Sequence, residues 1–101
     1  AALIGFTQAL GAETVDHNVR VFGINPSATL TDRMIGMFKT RAQSEYGDSD
    51  LWEKYLDASN FPFGRMQDPS EIGHLAVMLA SPKVQYVSGT VIDSSGGSQW
   101  K

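Results

Sequence analysis

Hydrophobic residues recur at helical spacing in three parts of the chain. In residues 1–15 they form two stripes of one helix, with Leu3, Phe6 and Leu10 on the first stripe and Ile4, Gly11 and Val15 on the second. Few positions before Glu13 are polar. We therefore expect this helix to be covered on more than one side.

A second helical part begins at Thr31 and Asp32, since both residue types can cap or complement the amino end of a helix. Its apolar positions are Met34, Ile35, Met37 and Phe38. Residues 44–50 interrupt the pattern. A short helix is then predicted over residues 51–58, with Asp50 and Glu53 at the spacing of a capping box.

The third helical part has the clearest start signal in the chain. Asp68 suits the N-cap, Pro69 the first helical position and Glu71 the third, and Ser81-Pro82 provides the stop. The apolar positions between them, at helical spacing, are Ile72, Leu75, Ala76 and Leu79. Residues 60–66 before this helix are predicted to form a loop.

Two apolar segments, residues 19–24 and 89–93, are predicted to be strands, and Asn25-Pro26 ends the first. Their apolar residues alternate onto both faces, which favours buried parallel strands joined through helices. A parallel sheet needs both faces covered and usually more than two strands. The pattern therefore predicts part of a larger α/β sheet, or a chain that depends on a partner.

Composition narrows the possible functions. The net charge of −3 argues against nucleic acid or an anionic membrane surface as a partner. The chain has no cysteine and two histidines, which argues against disulfides and a metal site. No apolar run reaches the roughly 18 residues of a membrane span, and no basic segment precedes the apolar start. We expect a soluble, cytoplasmic protein.

Three segments resemble the C-terminal portion of a classical short-chain dehydrogenase/reductase. AALIGFTQALGAE is similar to the helix that follows the family's Tyr-x-x-x-Lys motif. VRVFGINPSATLTDRM is similar to the family's strand and loop V-R-V-N-x-I-x-P-G-x-x-x-T-x-M. FPFGRMQDPSEIGHLAVMLASPKVQYVSGTVIDSSGG is similar to its ending, P-x-G-R-x-x-x-P-x-E-I-A, L-A-S, Y-V-T-G and V-D-G-G. The order and spacing match over nearly the whole chain.

The resemblance implies a fold. Residues 1–101 would be the C-terminal portion of a single Rossmann-like domain, a doubly wound parallel sheet, with residues 32–60 as a helical substrate lid. The family's Gly-rich phosphate loop and its catalytic Ser, Tyr and Lys would lie upstream, so no catalytic residue is expected in this chain. Ser27 stands where the family has Gly, and Ser95 stands where it has Asp.

The resemblance also implies a site. Pro26, Ser27, Thr29 and Thr31 would line a nicotinamide cofactor, either NAD or NADP. Taken without the resemblance, Thr31 is only an N-cap and Ser27 only a turn residue. The substrate wall would contain Met34, Met37, Phe38 and Trp52, with Phe61 beside them. The alternative is that these apolar residues simply pack against the sheet.

The implied activity is hydride transfer between the nicotinamide cofactor and a small carbonyl or alcohol substrate. The first helix, the third helix and the last strand resemble the family's subunit contacts, so a homotetramer is expected. The competing hypothesis is a non-catalytic fragment that only associates through its apolar surfaces. On either hypothesis, residues 1–101 alone are expected to be inactive.

Overall fold

The computed structural model describes residues 1–98. Within them, the regular elements in chain order are helix α1 (Ala2–Thr14), strand β1 (Gly23–Pro26), helix α2 (Asp32–Tyr46), helix α3 (Pro69–Ala80) and strand β2 (Val91–Ser94). The chain divides into two compact units. The first unit holds residues 1–26 and 70–94, and the second holds residues 27–69 and 95–98.

The first unit contains the sheet. Strands β1 and β2 pair in parallel, in register from Gly23 opposite Val91 to Pro26 opposite Ser94. The predicted parallel pairing is therefore confirmed. The predicted strand limits, 19–24 and 89–93, differ from the observed ones by one to four residues, and Asn25 and Pro26, predicted to end the first strand, pair with Asp93 and Ser94. Gly89, just before β2, has a φ of 80°, so the backbone is not extended there.

Helix α1 confirms the predicted first helix and contacts the segment before β2. Gly11 is its only buried residue, and a Cβ placed there would overlap the backbone of Gly89. The Ser88 hydroxyl donates to the Gly11 carbonyl at 2.7 Å and accepts from the Val21 amide at 3.2 Å. One serine therefore joins the helix to the segment that leads into β1.

Helix α3 lies where the sequence predicted it, from Pro69 to the residue before Ser81-Pro82. Its carboxyl end is held by Arg20. The guanidinium donates to the carbonyl oxygens of Leu79 at 2.8 Å and of Val84, and more weakly to that of Ser81 at 3.4 Å. A cation on the last carbonyls of a helix satisfies acceptors that have no partner within the helix.

The second unit is built around α2. The helix ends at Gly47, whose φ of 71° suits a left-handed C-cap and whose amide donates to the Gln43 carbonyl. A 3-10 helix, Ser49–Leu56, follows and replaces the predicted helix over 51–58. Asp48, with extended backbone, accepts from the Asp50 amide at 2.9 Å. The predicted capping box on Asp50 is therefore wrong, because the cap is Asp48 and the helix starts two residues earlier than predicted.

The stretch predicted as loop, residues 60–66, contains one short 3-10 turn, Pro62–Gly64, and begins at the last residue of another, Ala58–Asn60. Phe63 in the second turn has a φ of 56°, which is unusual for a bulky side chain. Buried apolar side chains among the described residues are Ala42, Met66 and Leu79. Ser95, the residue that replaces the family's Asp, is 4% exposed.

Candidate functional site

The candidate site begins where β1 ends, in the loop Ser27–Thr31. The Thr29 hydroxyl donates to the Ser27 carbonyl at 2.8 Å, and the Thr31 amide donates to the Thr29 carbonyl at 3.0 Å. These local bonds form a compact turn whose side chains are small or hydroxylated. Such a turn lets a ligand come close to the backbone.

Gln67 fixes this loop through two backbone hydrogen bonds. The Leu30 amide donates to the Gln67 carbonyl at 2.8 Å, and the Gln67 amide donates to the Ala28 carbonyl at 2.9 Å, which makes a parallel bridge between Thr29 and Gln67. Sequence reasoning missed Gln67, because these two hydrogen bonds are made by its backbone, which any residue type provides. The loop is thereby fixed to the segment that leads into α3.

Thr31 caps α2. Its backbone is extended, with φ −95° and ψ 165°, and its hydroxyl oxygen accepts from the Met34 amide at 3.2 Å. A hydroxyl has two acceptor positions and one donor hydrogen. The cap uses an acceptor position, so the O–H can still donate to a ligand. The amino end of this 15-residue helix, with Asp32 in its first turn, lies directly beside the loop.

The residues predicted to bind the cofactor are brought together as one continuous segment. Pro26 is exposed at the end of β1. Ser27 and Thr29 are half-buried and joined by a hydrogen bond, and Thr31 is linked to Thr29 through the backbone. The N-cap interpretation of Thr31 is confirmed, while its binding of a cofactor stays a prediction.

The residues predicted to form the substrate wall lie on α2 and the Ser49–Leu56 3-10 helix. Met34, Phe38 and Trp52 are half-buried, whereas Met37 is 54% exposed. The ring of Phe38 stacks on Tyr55, with centroids 5.6 Å apart and planes 28° apart. Phe38 therefore has a packing partner inside the hairpin that these two helices form.

Sequence reasoning missed the polar and aromatic contacts that join the two helices. The Tyr55 cluster comprises Phe38, Arg41, Glu45, Tyr46, Lys54 and Tyr55. Arg41 Nε donates to Glu45 Oε1 at 2.9 Å, and the Tyr55 hydroxyl donates to Glu45 Oε2 at 2.8 Å. The spacing of Arg41 and Glu45, four residues apart on one helix, could have been found from sequence.

Cations lie over two rings of the Tyr55 cluster. The Arg41 guanidinium carbon lies 4.5 Å from the centroid of the Tyr55 ring, and the Lys54 ammonium lies 4.8 Å from that of Tyr46. These separations are short enough for cation–π attraction. The centroids of the Tyr46 and Tyr55 rings are 6.4 Å apart.

Three ionisable groups of the Tyr55 cluster, Arg41, Glu45 and Tyr55, have shifted pKa values. The hydrogen bond from Arg41, and then the one from Tyr55, lower the pKa of Glu45. Partial burial, followed by the hydrogen bond to the Glu45 carboxylate, raises the pKa of Tyr55. The hydrogen bond and the charge of Glu45 raise the pKa of Arg41. Each shift favours the protonation state that makes these contacts at neutral pH.

The described residues contain neither a metal site nor a membrane-spanning helix. Within residues 1–98, no three acidic or histidine side chains come close enough together to hold a metal ion. Over the same residues, no helix has the length and apolar character needed to span a membrane.

These features define an α/β protein with parallel strands and a polar loop at the carboxyl end of one of them, which is where ligands of open α/β sheets bind. The family model described as enoyl-(acyl carrier protein) reductase matches residues 1–99. The chain belongs to the short-chain dehydrogenase/reductase family.

Two relatives of this family are similar to the chain over nearly all of its length. The chain is 37% identical to galactitol 2-dehydrogenase (L-tagatose-forming) of Cereibacter sphaeroides over 91 residues, which is 90% of this chain and 32% of that protein. It is 32% identical to the 3-oxoacyl-acyl-carrier-protein reductase FabG of Vibrio harveyi, over 96% of this chain and 35% of that protein.

A solved structure is similar in fold. L-sorbose reductase from Gluconobacter frateurii, solved in complex with NADPH and L-sorbose, is 31% identical, with a TM-score of 0.83. The match covers 94% of this chain and 36% of the reductase. The chain thus spans about a third of the length of the curated relatives it matches.

Proposed function

We propose that this chain is the C-terminal portion of an NAD(P)-dependent oxidoreductase that interconverts a carbonyl and an alcohol. The observation that carries the proposal is the loop Ser27–Thr31, a small-residue turn at the carboxyl end of a parallel strand that leads into a capped helix. Membership of the short-chain dehydrogenase/reductase family supports it, as does the NADPH bound to L-sorbose reductase.

The loop residues fit a dinucleotide. Ser27, Ala28 and Thr29 have short side chains, so a flat nicotinamide can approach their backbone. The amino end of α2 favours negative charge, which suits the pyrophosphate. Pro26, Ser27, Thr29 and Thr31 would hold the nicotinamide half, and Thr31 would donate its O–H to a carboxamide or phosphate oxygen. When bound, the cofactor supplies the hydride.

The catalytic Ser, Tyr and Lys are proposed to lie outside residues 1–101. None of the three tyrosines is followed four residues later by a lysine, since these positions are Asp50, Ser59 and Thr90. The chain also matches only about a third of each relative. We therefore expect residues 1–101 alone to transfer no hydride, and the full-length protein to do so.

The segment 32–60 is proposed to be the substrate lid of a Rossmann-like, doubly wound domain. Met34, Met37, Phe38 and Trp52 would form its apolar wall. Methionine side chains adapt to varied shapes, which suits a small carbonyl or alcohol with some apolar surface. Galactitol 2-dehydrogenase and L-sorbose reductase, by their names, act on a polyol and a sugar, and their similarity supports a small-molecule substrate.

Assembly as a homotetramer is also proposed. Leu3 and Phe6 on α1 are 79% and 62% exposed, and large exposed apolar side chains in one helix favour association. Light scattering of the full-length protein tests this, and a monomer would overturn it. A cytoplasmic location stays a prediction from the sequence.

The function is tested by carbonyl reduction with the full-length protein. A panel of ketones, sugars and 3-oxoacyl thioesters should include one whose reduction consumes NADH or NADPH. Absence of both cofactor binding and turnover would overturn the proposal and favour a non-catalytic association module.

The site is tested separately by substitutions at Thr31. Thr31→Val should weaken binding of the reduced cofactor by about 2- to 10-fold, the equivalent of one hydrogen bond. Thr31→Ser should retain it. Thr40→Val is the matched control, because Thr40 lies on the same helix and its hydroxyl donates only to the Gly36 carbonyl at 3.0 Å. If Thr31→Val, Thr31→Ser and Thr40→Val bind the reduced cofactor equally well, Thr31 does not belong to the cofactor site.

A further inference from the structure

Tyr55 contacts a continuous stripe of α2. Phe38, Arg41 and Glu45, spaced three and four residues apart on the helix, all meet this one side chain. Residues at this spacing lie on one face of a helix over two turns. Tyr55 thus holds the Ser49–Leu56 3-10 helix along α2 rather than at a single point.

The individual contacts would be weak if they stood alone. The Arg41–Glu45 ion pair is exposed, with 59% and 42% of the two side chains accessible, and exposed pairs contribute little to stability. Tyr55 adds a stacked ring, a cation over its face and a hydroxyl that donates to the same carboxylate. Loss of Tyr55 removes all three of its contacts with α2 at once.

Two predicted substrate-wall residues depend on this arrangement. The Phe38 ring stacks directly on Tyr55. Trp52 lies three residues before Tyr55 in a 3-10 helix, where side chains at this spacing lie above one another. Tyr55 therefore contacts Phe38 directly and lies on the same side of the 3-10 helix as Trp52.

We propose that Tyr55 is a positioning residue that holds residues 32–56 as one rigid hairpin and so places Phe38 and Trp52 for the substrate. The substrate part of this inference rests on the proposed function, whereas the hairpin part does not. Tyr55 itself is not proposed to contact the substrate or the cofactor.

The test combines amide hydrogen exchange with steady-state kinetics on the full-length protein. Tyr55→Leu should speed exchange severalfold across residues 32–56 and leave α3 unchanged. It should raise the KM for the carbonyl substrate while the KM for the cofactor stays constant. A general loss of stability would instead affect both KM values and the exchange of α3.

Tyr55→Phe keeps the ring and removes only the hydroxyl, so its effects should be smaller than those of Tyr55→Leu. Tyr55→Phe also gives the test, with a smaller effect, should Tyr55→Leu fail to fold, whereas Arg41→Met leaves the Tyr55 ring and hydroxyl in place and should change exchange only slightly. Tyr86→Leu, at a fully exposed tyrosine in the first unit, is the matched control and should change neither measurement.

Each outcome decides between hypotheses. Unchanged exchange in Tyr55→Leu would overturn the rigid hairpin, whatever the enzyme does. Faster exchange with an unchanged KM for the carbonyl substrate would overturn the positioning role. A wild-type protein without reductase activity would overturn the proposed function and the positioning role, while the exchange data would still decide whether Tyr55 holds the hairpin.

Discussion

Two glycines on α1 should respond in opposite ways to the same substitution. Gly5 has no atom within 4 Å of an added Cβ, whereas a Cβ on Gly11 would overlap the backbone of Gly89 and approach the Ser88 hydroxyl to 3.0 Å. Gly5→Ala should therefore only improve helix propensity. Gly11→Ala should force the helix away from the segment before β2.

The magnitudes follow from these surroundings. Replacing an exposed helical glycine by alanine stabilises by about 0.5–1 kcal/mol. Overpacking a close contact costs about 1–3 kcal/mol, and here the obstacle is backbone that cannot change rotamer. The two variants should thus differ in free energy of unfolding by about 1.5–4 kcal/mol, with opposite signs relative to wild type.

The measurement is urea-induced unfolding of the full-length protein, with amide exchange as the local readout. The Val21 amide donates to the Ser88 hydroxyl, and the Gly89 amide donates to the Val21 carbonyl at 2.6 Å. Both amides should exchange faster in Gly11→Ala and normally in Gly5→Ala. Equal stability of the two variants, with unchanged exchange at both amides, would refute the close packing of Gly11 on Gly89.

Further predictions concern the capping of α3, the acidity of the Tyr55 cluster and the turn at Pro62. Arg20→Met should lower the stability of the last turn of α3 by about 2–3 kcal/mol, since charged hydrogen bonds to Leu79 and Val84 are lost. Amide exchange of α3 measures this loss, and Arg33→Met, at an exposed arginine, is the control. An effect of Arg20→Met no larger than that of the control would contradict the prediction. Because the folded pKa of Glu45 is lowered, its stabilising contribution is present above the unfolded pKa, about 4.3, and is lost as pH falls through the folded value. An NMR titration should show the Glu45 pKa rising in Arg41→Gln and less so in Tyr55→Phe; an unchanged pKa in Arg41→Gln would be inconsistent with the ion pair. Gly96→Ala should destabilise the protein, because Gly96 has a φ of 59° and its Cβ would meet Pro62; normal thermal stability would count against this turn.

Local signals predicted the helices well. Thr31 caps α2 and Pro69 opens α3 as their residue types suggest, because these preferences depend only on neighbouring backbone. Strand limits were less predictable. The limits of β1 are set by pairing with a distant segment, from Gly23 opposite Val91 to Pro26 opposite Ser94, which no local pattern shows.

The candidate site likewise contains residues that the sequence predicted and residues that it did not. The loop Ser27–Thr31 was identified because its residues match a family pattern at the end of a strand. Gln67, which fixes that loop, and Tyr55, which joins α2 to the Ser49–Leu56 3-10 helix, were not identified. Each acts through a contact with a distant segment, and neither has a side-chain type or spacing that indicates its partner.

The two interpretations of Thr31, helix cap and cofactor ligand, are compatible, because they use different atoms of one hydroxyl. The cap needs an acceptor for the Met34 amide, and the ligand would need a donor. Thr31→Asp separates the two roles, since aspartate is a good N-cap but has no hydrogen to donate and would repel a pyrophosphate. We expect Thr31→Asp to preserve the slow exchange of the Met34 amide while binding reduced cofactor more weakly than Thr31→Ser does. If Thr31→Asp binds the cofactor as well as Thr31→Ser does, the affinity follows the strength of the helix cap. Thr31 would then act only through the helix.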